Sequence, residues 1–269
     1  MFGRSKKPST PFLDPMRTAD IARVVDIIDQ TDEDDAEEAK EAFEKHGTNG
    51  MFVLRENKNI LGVTGFQPSE ASEQVVWLSY TYLDEAYRGQ NFGKQMLSKL
   101  LELLNNNQVR KIFIATSDYI EDGDEIYGDA HRFYEGLGAI QEVVLKDFYA
   151  EGESKLIYGL VNPEMASNEE LPSVFPDGLS IDGMAADGDS NDVAALSWSE
   201  TSGGVTGLRE ALLEAREQQF RLAVLALPSD ISAFASSALI DAGFSNSGEL
   251  LDFYAAGSNQ TWWIRSFGS

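Results

Sequence analysis

The 269-residue sequence contains no cysteine and only two histidines, His46 and His131. The absence of cysteine excludes disulfide bonds, thiolate metal ligands and a cysteine nucleophile. With only two histidines, the sequence argues against a zinc enzyme or a serine–histidine hydrolase, and we predict no metal site. Long apolar runs are absent as well, since no stretch reaches the roughly 18 apolar residues of a membrane-spanning helix. We therefore expect no membrane partner.

Basic residues are few, and the charge is strongly one-sided. Lysine and arginine total 21 against 45 aspartates and glutamates, which gives a formal net charge of −24. This balance disfavours binding to nucleic acid, because that binding depends on basic side chains that neutralise phosphates. Two explanations of the acidity stay open: solubility, and attraction of a cationic substrate such as an amine. Residues 1–11 are basic and polar without an apolar segment, so we predict no secretory signal and a cytoplasmic protein.

Apolar periodicity predicts helices and strands along the first 161 residues. Helices are predicted from Thr18 as N-cap to about residue 28, over residues 31–45 with Gly47 as the stop, and over residues 126–137. Strands are predicted over residues 51–54, 60–66, 75–83, 111–116, 141–150 and 155–161. The acidic run 32–38 is interpreted mainly as a solvated helix face, with substrate contact as the alternative.

The segment from Arg88 to Gly93 connects the strand-like run 75–83 to an amphipathic helix pattern that includes Met96. A strand, a glycine-containing turn and a helix place free backbone N–H groups and the positive end of a helix dipole at one point. Such a point is suited to a phosphate or pyrophosphate. Gly89 and Gly93 allow a positive φ, or a close approach of a ligand to the backbone.

The sequence of this loop resembles the acyl-CoA pyrophosphate loop of the GNAT acetyltransferase superfamily, which has the pattern Arg/Gln-x-x-Gly-x-Gly/Ala. Gln90 opens the motif and Gly93 occupies its first glycine, but Gln95 stands where the second glycine or alanine is usual. A second family motif follows in residues 130–139. Its matching positions are Ala130, Tyr134, Glu135 and Gly138, and the departures are Tyr127, Gly136 and Ala139. The resemblance covers about residues 10–161.

This resemblance implies a fold, an activity and a set of site residues. The fold would be α+β (mixed α/β), with a mainly antiparallel central sheet flanked by helices, here in tandem units. The activity would be transfer of an acetyl group from acetyl-CoA, as co-substrate, to an amine of a small molecule or peptide by direct attack. The residues implied to bind acyl-CoA are Leu83, Arg88, Gly89, Gln90, Asn91, Phe92, Gly93 and Lys94.

Acetyl transfer needs a proton acceptor for the amine, a fixed donor to the thioester oxygen and an acid for the departing thiolate. The resemblance makes Tyr134 the candidate acid, because a phenol with a pKa of about 10 can donate to a thiolate beside it. Simple packing of a buried ring is the alternative. Tyr80 and Glu85 are the other candidate catalytic residues, and Tyr80 shares one strand face with Tyr82. No residue stands out as the base.

The second half repeats a segment of the first. The pattern Leu-x-Asp-Phe-Tyr-Ala-x-Gly occurs at residues 145–152 and again at 250–257. Internal similarity of this kind indicates architecture. We therefore predict an acetyltransferase domain with the acyl-CoA site at residues 1–162, and a shortened, degenerate GNAT-like domain at residues 163–269. Residues 162–187 are predicted as a linker that becomes structured.

The two copies differ at the positions that matter for chemistry. The second copy has Ser202 and Leu239 where the first has Arg88 and Tyr134. One active site, in the first half, is therefore expected. The late strands of the two units are expected to pack together, with Trp262 and Trp263 covering a shared interface.

Other functions stay open at this point. A GNAT scaffold without catalysis, which binds acyl-CoA or serves in assembly, is the main alternative, and CoA binding without turnover would distinguish it. An α/β nucleotide-binding protein is a weaker alternative, because the sequence has no Gly-x-Gly-x-x-Gly or Walker pattern. A homodimer is also considered.

Overall fold

A computed structural model describes residues 10–69, 72–162, 165 and 178–268. Six α-helices are present in these ranges: α1 Ile21–Asp29, α2 Glu33–His46, α3 Phe92–Asn106, α4 Gly128–Gly136, α5 Leu208–Glu217 and α6 Ser229–Asp241. The strands of the first half are β1 Phe12–Pro15, β2 Met51–Glu56, β3 Asn59–Ser69, β4 Ser72–Leu83, β5 Lys111–Ser117, β6 Ile120–Glu121, β7 Asp124–Glu125, β8 Ile140–Ala150 and β9 Glu153–Val161. Those of the second half are β10 Gly178–Asp187, β11 Ser190–Glu200, β12 Gly204–Thr206, β13 Leu222–Pro228, β14 Ser245–Ala255 and β15 Ser258–Ser266.

Thirteen of these strands form one sheet that runs through both halves, in the order β1-β2-β3-β4-β5-β9-β8-β14-β15-β13-β11-β10-β12. Three neighbouring pairs are parallel, namely β4–β5, β11–β13 and β10–β12, and the others are antiparallel. The remaining strands, β6 and β7, form a small separate ribbon. The predicted fold class is confirmed: a mixed α/β protein with a mainly antiparallel sheet flanked by helices. Within the described ranges, no helix is long and apolar enough to cross a membrane.

Helices cover both faces of the sheet in the first half. In β2, Val53 belongs to the buried cluster formed with α1 and α2, whereas the next residue, Leu54, packs with Met96 of α3. Because consecutive side chains of a strand point to opposite faces, α3 lies on the face opposite α1 and α2. We call these the α3 face and the α1–α2 face.

Most element predictions for the first half are confirmed, and two details differ. A 3-10 turn, Thr18–Asp20, precedes α1, and the N-cap residue of α1 is Asp20 rather than Thr18. The second predicted helix starts as expected, because the Asp32 carboxylate caps it by accepting the N–H of Asp35 at 3.0 Å. The basic segment is described only from residue 10 onward.

The predicted linker is only partly a linker. Residues 163–164 and 166–177 lie outside the described residues, but residues 178–187 form β10, which pairs with β11 as an antiparallel hairpin. Leu179 and Ile181 of β10 are buried in the core of the second half. The glycines and aspartates within this stretch concealed its alternating pattern from the sequence analysis.

The two halves meet where β8 lies beside β14, with Val143 opposite Gly248. These are the strands that carry the repeated motif. Their phenylalanines, Phe148 and Phe253, are buried together in one cluster that draws residues from both halves. Trp262 packs against that cluster, whereas Trp263 is buried in the core of the second half and donates its indole N–H to Ser232 at 2.9 Å. The expected contact of late strands is therefore confirmed, with Trp262 but not Trp263 at the junction.

A reciprocal pair of arginines crosses this junction. Arg110, just before β5, donates to the backbone carbonyl oxygens of Asp252 and Phe253 in the second half. Arg221, just before β13, donates to the corresponding carbonyls of Asp147 and Phe148 in the first half.

The repeated aspartates make these carbonyls available. Asp147 and Asp252 both have a positive φ, of 55° and 56°. Each carboxylate accepts the N–H of the motif glycine, Gly152 or Gly257, at 2.7 Å. The Asp-Phe-Tyr-Ala-x-Gly motif is therefore a structural element of the junction.

Candidate active site

The site begins where two parallel strands separate. β4 and β5 are paired only from Val75 to Trp77, opposite Lys111 to Phe113. β4 then continues to Leu83 and β5 to Ser117, while their outer edges stay paired with β3 and β9. In the described part of the chain, the facing edges of β4 and β5 have no strand partner beyond this point. The strands thus enclose a wedge in which backbone N–H and C=O groups are open to a ligand.

A β-bulge lies in β4 beside this wedge. The register passes from Val63 opposite Tyr82 to Gly65 opposite Ser79, so two residues of β4 oppose one residue of β3. Tyr80, inside the bulge, has a φ of 30°. Strained backbone of this kind in a non-glycine residue is concentrated at functional sites.

The bulge changes the face to which side chains point. Leu78 packs with the core of the α3 face, whereas Tyr80 and Tyr82 both pack with α1 and α2. The prediction that these two tyrosines share one face is therefore confirmed. Phe43 of α2 meets the Tyr80 ring edge-on, with a centroid distance of 5.4 Å.

Acidic side chains of α2 meet tyrosines on this face. Tyr82 donates its hydroxyl to the Asp35 carboxylate, and Tyr80 donates to Glu38 at 3.4 Å. Tyr127, one of the departures from the family pattern, donates to Asp32 at 2.5 Å. The acidic run is therefore more than a solvated face, since part of it lines the surface beside the bulge.

Burial controls the protonation of this group. Burial raises the pKa of Asp35, and the negative charges of Asp32 and Asp34 raise it further against the hydrogen bond from Tyr82. The pKa of Glu38 is also raised, first by burial and then by Asp35. The pKa values of Tyr80 and Tyr82 are raised, again first by burial and then by the neighbouring carboxylates. Both phenols are therefore protonated at neutral pH and act as hydrogen-bond donors.

The glycine-containing loop lies at the far end of β4, where α3 begins at Phe92. Gly89 and Asn91 have positive φ values of 70° and 66°. Among the described residues, the backbone N–H groups from Gly89 to Lys94 have no protein acceptor, and Gln95 is the first to bond into the helix, to the carbonyl of Asn91. Six unpaired N–H groups and the helix dipole make this loop a site for an anion.

Side chains of the loop hold its shape. Arg88 donates from Nε to the carbonyl of Leu83 at 3.1 Å and from its terminal nitrogen to Thr31 at 2.7 Å. Gln90 donates its side-chain amide to the carbonyl of Ala86 at 2.7 Å. These contacts tie the loop to the end of β4 and to the turn before α2. In this arrangement the backbone presents the donors, while Lys94 is exposed in the first helical turn.

There is little space for a side chain at Gly93. A Cβ atom added there would lie 3.3 Å from Cδ1 of Leu83 and 3.8 Å from the ring of Phe133. A larger residue would therefore require the Leu83 side chain to shift by a few tenths of an ångström. Glycine at this position keeps the first turn of α3 close to the end of the strand.

Tyr134 lies on the α3 face in the same buried cluster as Ile114, the first residue of β5 beyond the paired segment. Its side chain is 7% exposed, and its hydroxyl has no hydrogen-bond partner among the described residues. Burial raises the pKa of Tyr134 to about 12. A buried polar group without a partner is rare in native structures and calls for an explanation, such as a missing ligand.

Glu85 is not brought together with these groups. It lies beyond the end of β4 in an exposed 3-10 turn, Glu85–Tyr87, where its backbone N–H bonds to Gln30 at 2.8 Å. Its carboxylate makes no hydrogen bond or ion pair with Tyr80 or Tyr134. The carboxylates that do lie beside the bulge, Asp35 and Glu38, come from α2 and were not chosen as site residues from the sequence.

The second half has a similar pair of strands, but a tryptophan side chain bridges them. β11 and β13 are parallel from Val193 to Ala195 only, and both continue further. The indole N–H of Trp198 donates to the carbonyl of Ala226 at 2.9 Å and so bridges the two strands. Leu239 is fully buried in the apolar core. Within the described part of the second half, a side chain thus bridges the two strands, and an apolar side chain, Leu239, stands at the position that corresponds in sequence to Tyr134.

Part of the sequence matches the model of a known family. Residues 20–139 match the sequence model of the acetyltransferase (GNAT) family. A search of curated proteins found no match to the chain.

Three solved structures are among those that resemble the chain. A GNAT-family protein from Desulfovibrio desulfuricans is 24% identical, with a TM-score of 0.49, over 56% of this chain and 98% of its own. The ribosomal-protein-S18-alanine N-acetyltransferase of Escherichia coli is 17% identical, with a TM-score of 0.46, over 61% and 100%. The protein yncA of Salmonella typhimurium, solved with acetyl-CoA, is 15% identical, with a TM-score of 0.46, over 62% and 100%. By the match to its sequence model, the chain contains an acetyltransferase domain of the GNAT family within residues 20–139.

Proposed function

We propose that the first half is an acetyl-CoA-dependent N-acetyltransferase, which transfers the acetyl group directly to an amine of a small molecule or peptide. The family match over residues 20–139 supports the donor chemistry. The observation that carries the proposal is the open wedge between β4 and β5. It starts at Ile114, which shares a buried cluster with Tyr134, and the anion loop lies at the end of β4.

The donor acetyl-CoA fits the groups that line this path. The unpaired N–H groups from Gly89 to Lys94 would hold its pyrophosphate, and Lys94 would add a positive charge. The open edge of β4, ending at Leu83, would supply backbone donors to the thioester oxygen and the chain that leads to it. Acetyl-CoA supplies the activated acetyl group as a co-substrate.

The acceptor would bind on the α1–α2 face, beside the bulge. An attacking amine must be neutral, so its proton has to leave before or during attack. We assign the role of proton acceptor to the carboxylates Asp35 and Glu38, which lie beside the bulge and whose pKa values are raised, first by burial. Tyr80 and Tyr82 would orient the amine as hydrogen-bond donors, because their own pKa values are raised.

Tyr134 would donate a proton or hydrogen bond to the departing thiolate. With a pKa of about 12, it keeps its proton throughout the neutral range. A charged acceptor atom beside its hydroxyl would supply the hydrogen-bond partner that the protein does not. Leaving-group protonation by a positioned side chain contributes about 10²–10⁴ in rate in general.

We further infer that the second half, residues 163–269, is a diverged GNAT-like unit without a donor site. The repeated motif, the reciprocal arginines and the parallel β11–β13 pair support this relation. The bridge from Trp198 to Ala226 supports the loss of the site. A homodimer and a cytoplasmic location remain predictions from the sequence.

A non-catalytic scaffold that binds acyl-CoA is the second candidate. Gln95, in place of the second glycine or alanine, and Tyr127, which holds Asp32, are the observations in its favour. The two functions differ in turnover rather than in donor binding.

Calorimetric titration of acetyl-CoA into two glycine variants tests the donor site. Gly89 and Gly203 both have a positive φ, and an added Cβ would meet no atom within 4 Å at either position. Gly89→Asp and Gly203→Asp therefore add the same charge at an exposed glycine with a positive φ, of 70° and 103°, one in each half. We expect micromolar binding, about −8 kcal/mol, to the wild type and to Gly203→Asp, and a loss of binding in Gly89→Asp.

Turnover then separates the two candidate functions. Release of free CoA thiol from acetyl-CoA in the presence of amines supports the transferase. Binding of acetyl-CoA without any amine-dependent thiol release supports the scaffold. Absence of acetyl-CoA binding to the wild type would contradict both.

A further inference from the structure

The parallel segment of β4 and β5 ends in an aromatic cluster. Trp77 and Phe113 are opposite each other at the last paired position, and their ring centroids are 5.4 Å apart. Phe253, from β14 of the second half, completes the cluster at 5.6 Å from Phe113 and 6.5 Å from Trp77. Phe113 is fully buried, and Phe253 is 5% exposed. A ring of the second half therefore packs against the position where the wedge opens.

The same strand, β14, also holds the first position of the parallel segment. Lys111, opposite Val75, forms an ion pair with Glu142 of β8, with Nζ at 2.6 Å from Oε1. The other carboxylate oxygen of Glu142 accepts the N–H of Leu251 at 2.8 Å. Both side chains of the ion pair are buried, and fixing a register is the best-attested role of such a pair. This ion pair thus connects the start of the segment to β14.

A third contact fixes the backbone that carries the Phe253 ring. Arg110, the residue before β5, donates to the carbonyls of Asp252 and Phe253. Movement of this backbone away from β5 would break both hydrogen bonds and leave donors of a buried guanidinium unpaired. The aromatic ring and its backbone are therefore held to β5 together.

The parallel segment of the second half has different residues at these positions. Ala195 and Val224 occupy the last paired position of β11 and β13, where the first half has two aromatic rings. Leu222 occupies the position of Lys111, and its side chain carries no charge for an ion pair. There, the bridge from Trp198 connects the two strands beyond the segment. In the first half a bridge of this kind would occupy the place of a donor molecule, so the strands have to be held where the wedge starts.

We propose that Phe253 is a positioning residue for the donor site, through which the second half fixes the width of the wedge at its start and so the place of the acetyl end of acetyl-CoA. The proposal rests on the proposed acetyltransferase function. The anion loop lies at the far end of β4, so a donor bound there by its pyrophosphate extends along the β4 edge toward Trp77 and Phe113. Its thioester end is then near the aromatic cluster, and its nucleotide end is remote from it.

Two alanine substitutions in the repeated motif test this role. Phe253→Ala and Phe148→Ala remove the corresponding rings of the two copies, and both rings are buried in the same cluster at the junction. The Phe148 ring contacts Tyr149 and the Lys155 ammonium, and within the described part of the chain it makes no ring contact with the aromatic cluster. Phe148→Ala is therefore the matched control. We expect a similar decrease in Tm for both variants, because each leaves a cavity of the same origin.

Donor affinity should distinguish the two variants. In calorimetric titration, acetyl-CoA should bind Phe253→Ala about tenfold more weakly than the wild type, which corresponds to about 1.4 kcal/mol, and Phe148→Ala within twofold of it. ADP carries a pyrophosphate without the pantetheine chain and the thioester. Its affinity, measured by ligand-observed NMR, should stay within twofold in both variants. Phe253→Leu and Phe148→Leu keep most of the side-chain volume and repeat the comparison if an alanine variant does not fold, with an expected loss of about threefold for Phe253→Leu alone.

The possible failures are distinguishable. Equal losses of acetyl-CoA affinity in the paired variants, or a loss that ADP shares, would mean that both rings only support the fold and would refute this inference. A lowered Tm with unchanged acetyl-CoA affinity in Phe253→Ala would refute it as well. Absence of acetyl-CoA binding to the wild type would instead contradict the proposed function, and this inference with it.

Discussion

The buried Tyr134 hydroxyl lowers the free energy of unfolding if it has no hydrogen-bond partner, and Tyr134→Phe tests this. An unsatisfied buried polar group costs about 1–3 kcal/mol, and Tyr134 is 7% exposed without a partner among the described residues. Removal of the hydroxyl should therefore raise the free energy of unfolding by about 1 kcal/mol. For a chain of this size, that corresponds to an increase in Tm of roughly 2–4 °C. At the same time, kcat should fall by about 10²–10⁴, with little change in acetyl-CoA affinity.

Tyr127→Phe is the control for this reasoning. It removes the hydroxyl group that donates to the Asp32 carboxylate at 2.5 Å. A hydrogen bond to a charged group contributes about 1.5–3 kcal/mol to the free energy of unfolding. Its Tm should therefore fall. Urea denaturation and thermal unfolding followed by circular dichroism measure both variants. If Tyr134→Phe destabilises the protein by 1 kcal/mol or more, its hydroxyl is satisfied in the native state and the argument from the missing partner is wrong.

Two further perturbations test the junction and the acidic face. Arg110→Met should lower the free energy of unfolding by about 2–4 kcal/mol, because two hydrogen bonds from Arg110, a residue that is 5% exposed, are lost. A loss below about 0.5 kcal/mol, measured by urea denaturation, would contradict this expectation. Asp35→Asn should stabilise the protein at pH 7, because the raised pKa of Asp35 makes its ionised form unfavourable in the fold. This gain should vanish as the pH falls below the ordinary value of 3.8, because the carboxyl is then protonated in both the folded and the unfolded state. Denaturation curves at pH 3.5, 5 and 7 measure the gain, and a variant that is less stable than the wild type at pH 7 would contradict this reasoning.

Much of the fold could be predicted from local sequence patterns. The helices and strands of the first half have apolar periods that are readable without tertiary information, and the capping carboxylate of Asp32 marked the start of α2. The repeated motif indicated the contact of β8 with β14, because both copies carry the same junction residues. The prediction that Trp263 lies at the junction was wrong. Two adjacent tryptophans of a strand point to opposite faces, and only Trp262 faces the junction.

The candidate site was less accessible from the sequence. The loop from Arg88 to Gly93 could be found, because its glycines and the following helix are local features. The wedge could not, because it depends on where two strands stop pairing, and nothing in either strand alone marks that residue.

The two wedges of the chain show how one arrangement can serve two purposes. In each half, a parallel pair holds for three residues and then separates, which leaves polar backbone that has to be satisfied. In the second half, the indole N–H of Trp198 donates to the carbonyl of Ala226, so a side chain of the protein satisfies part of this backbone. In the first half, the half-buried edge of β4 is open to a ligand, and the buried hydroxyl of Tyr134 has no partner among the described residues. The cost of that buried hydroxyl is the physical reason to expect a bound molecule beside it. Stability contributed through the junction arginines would then offset a site that is itself unsatisfied.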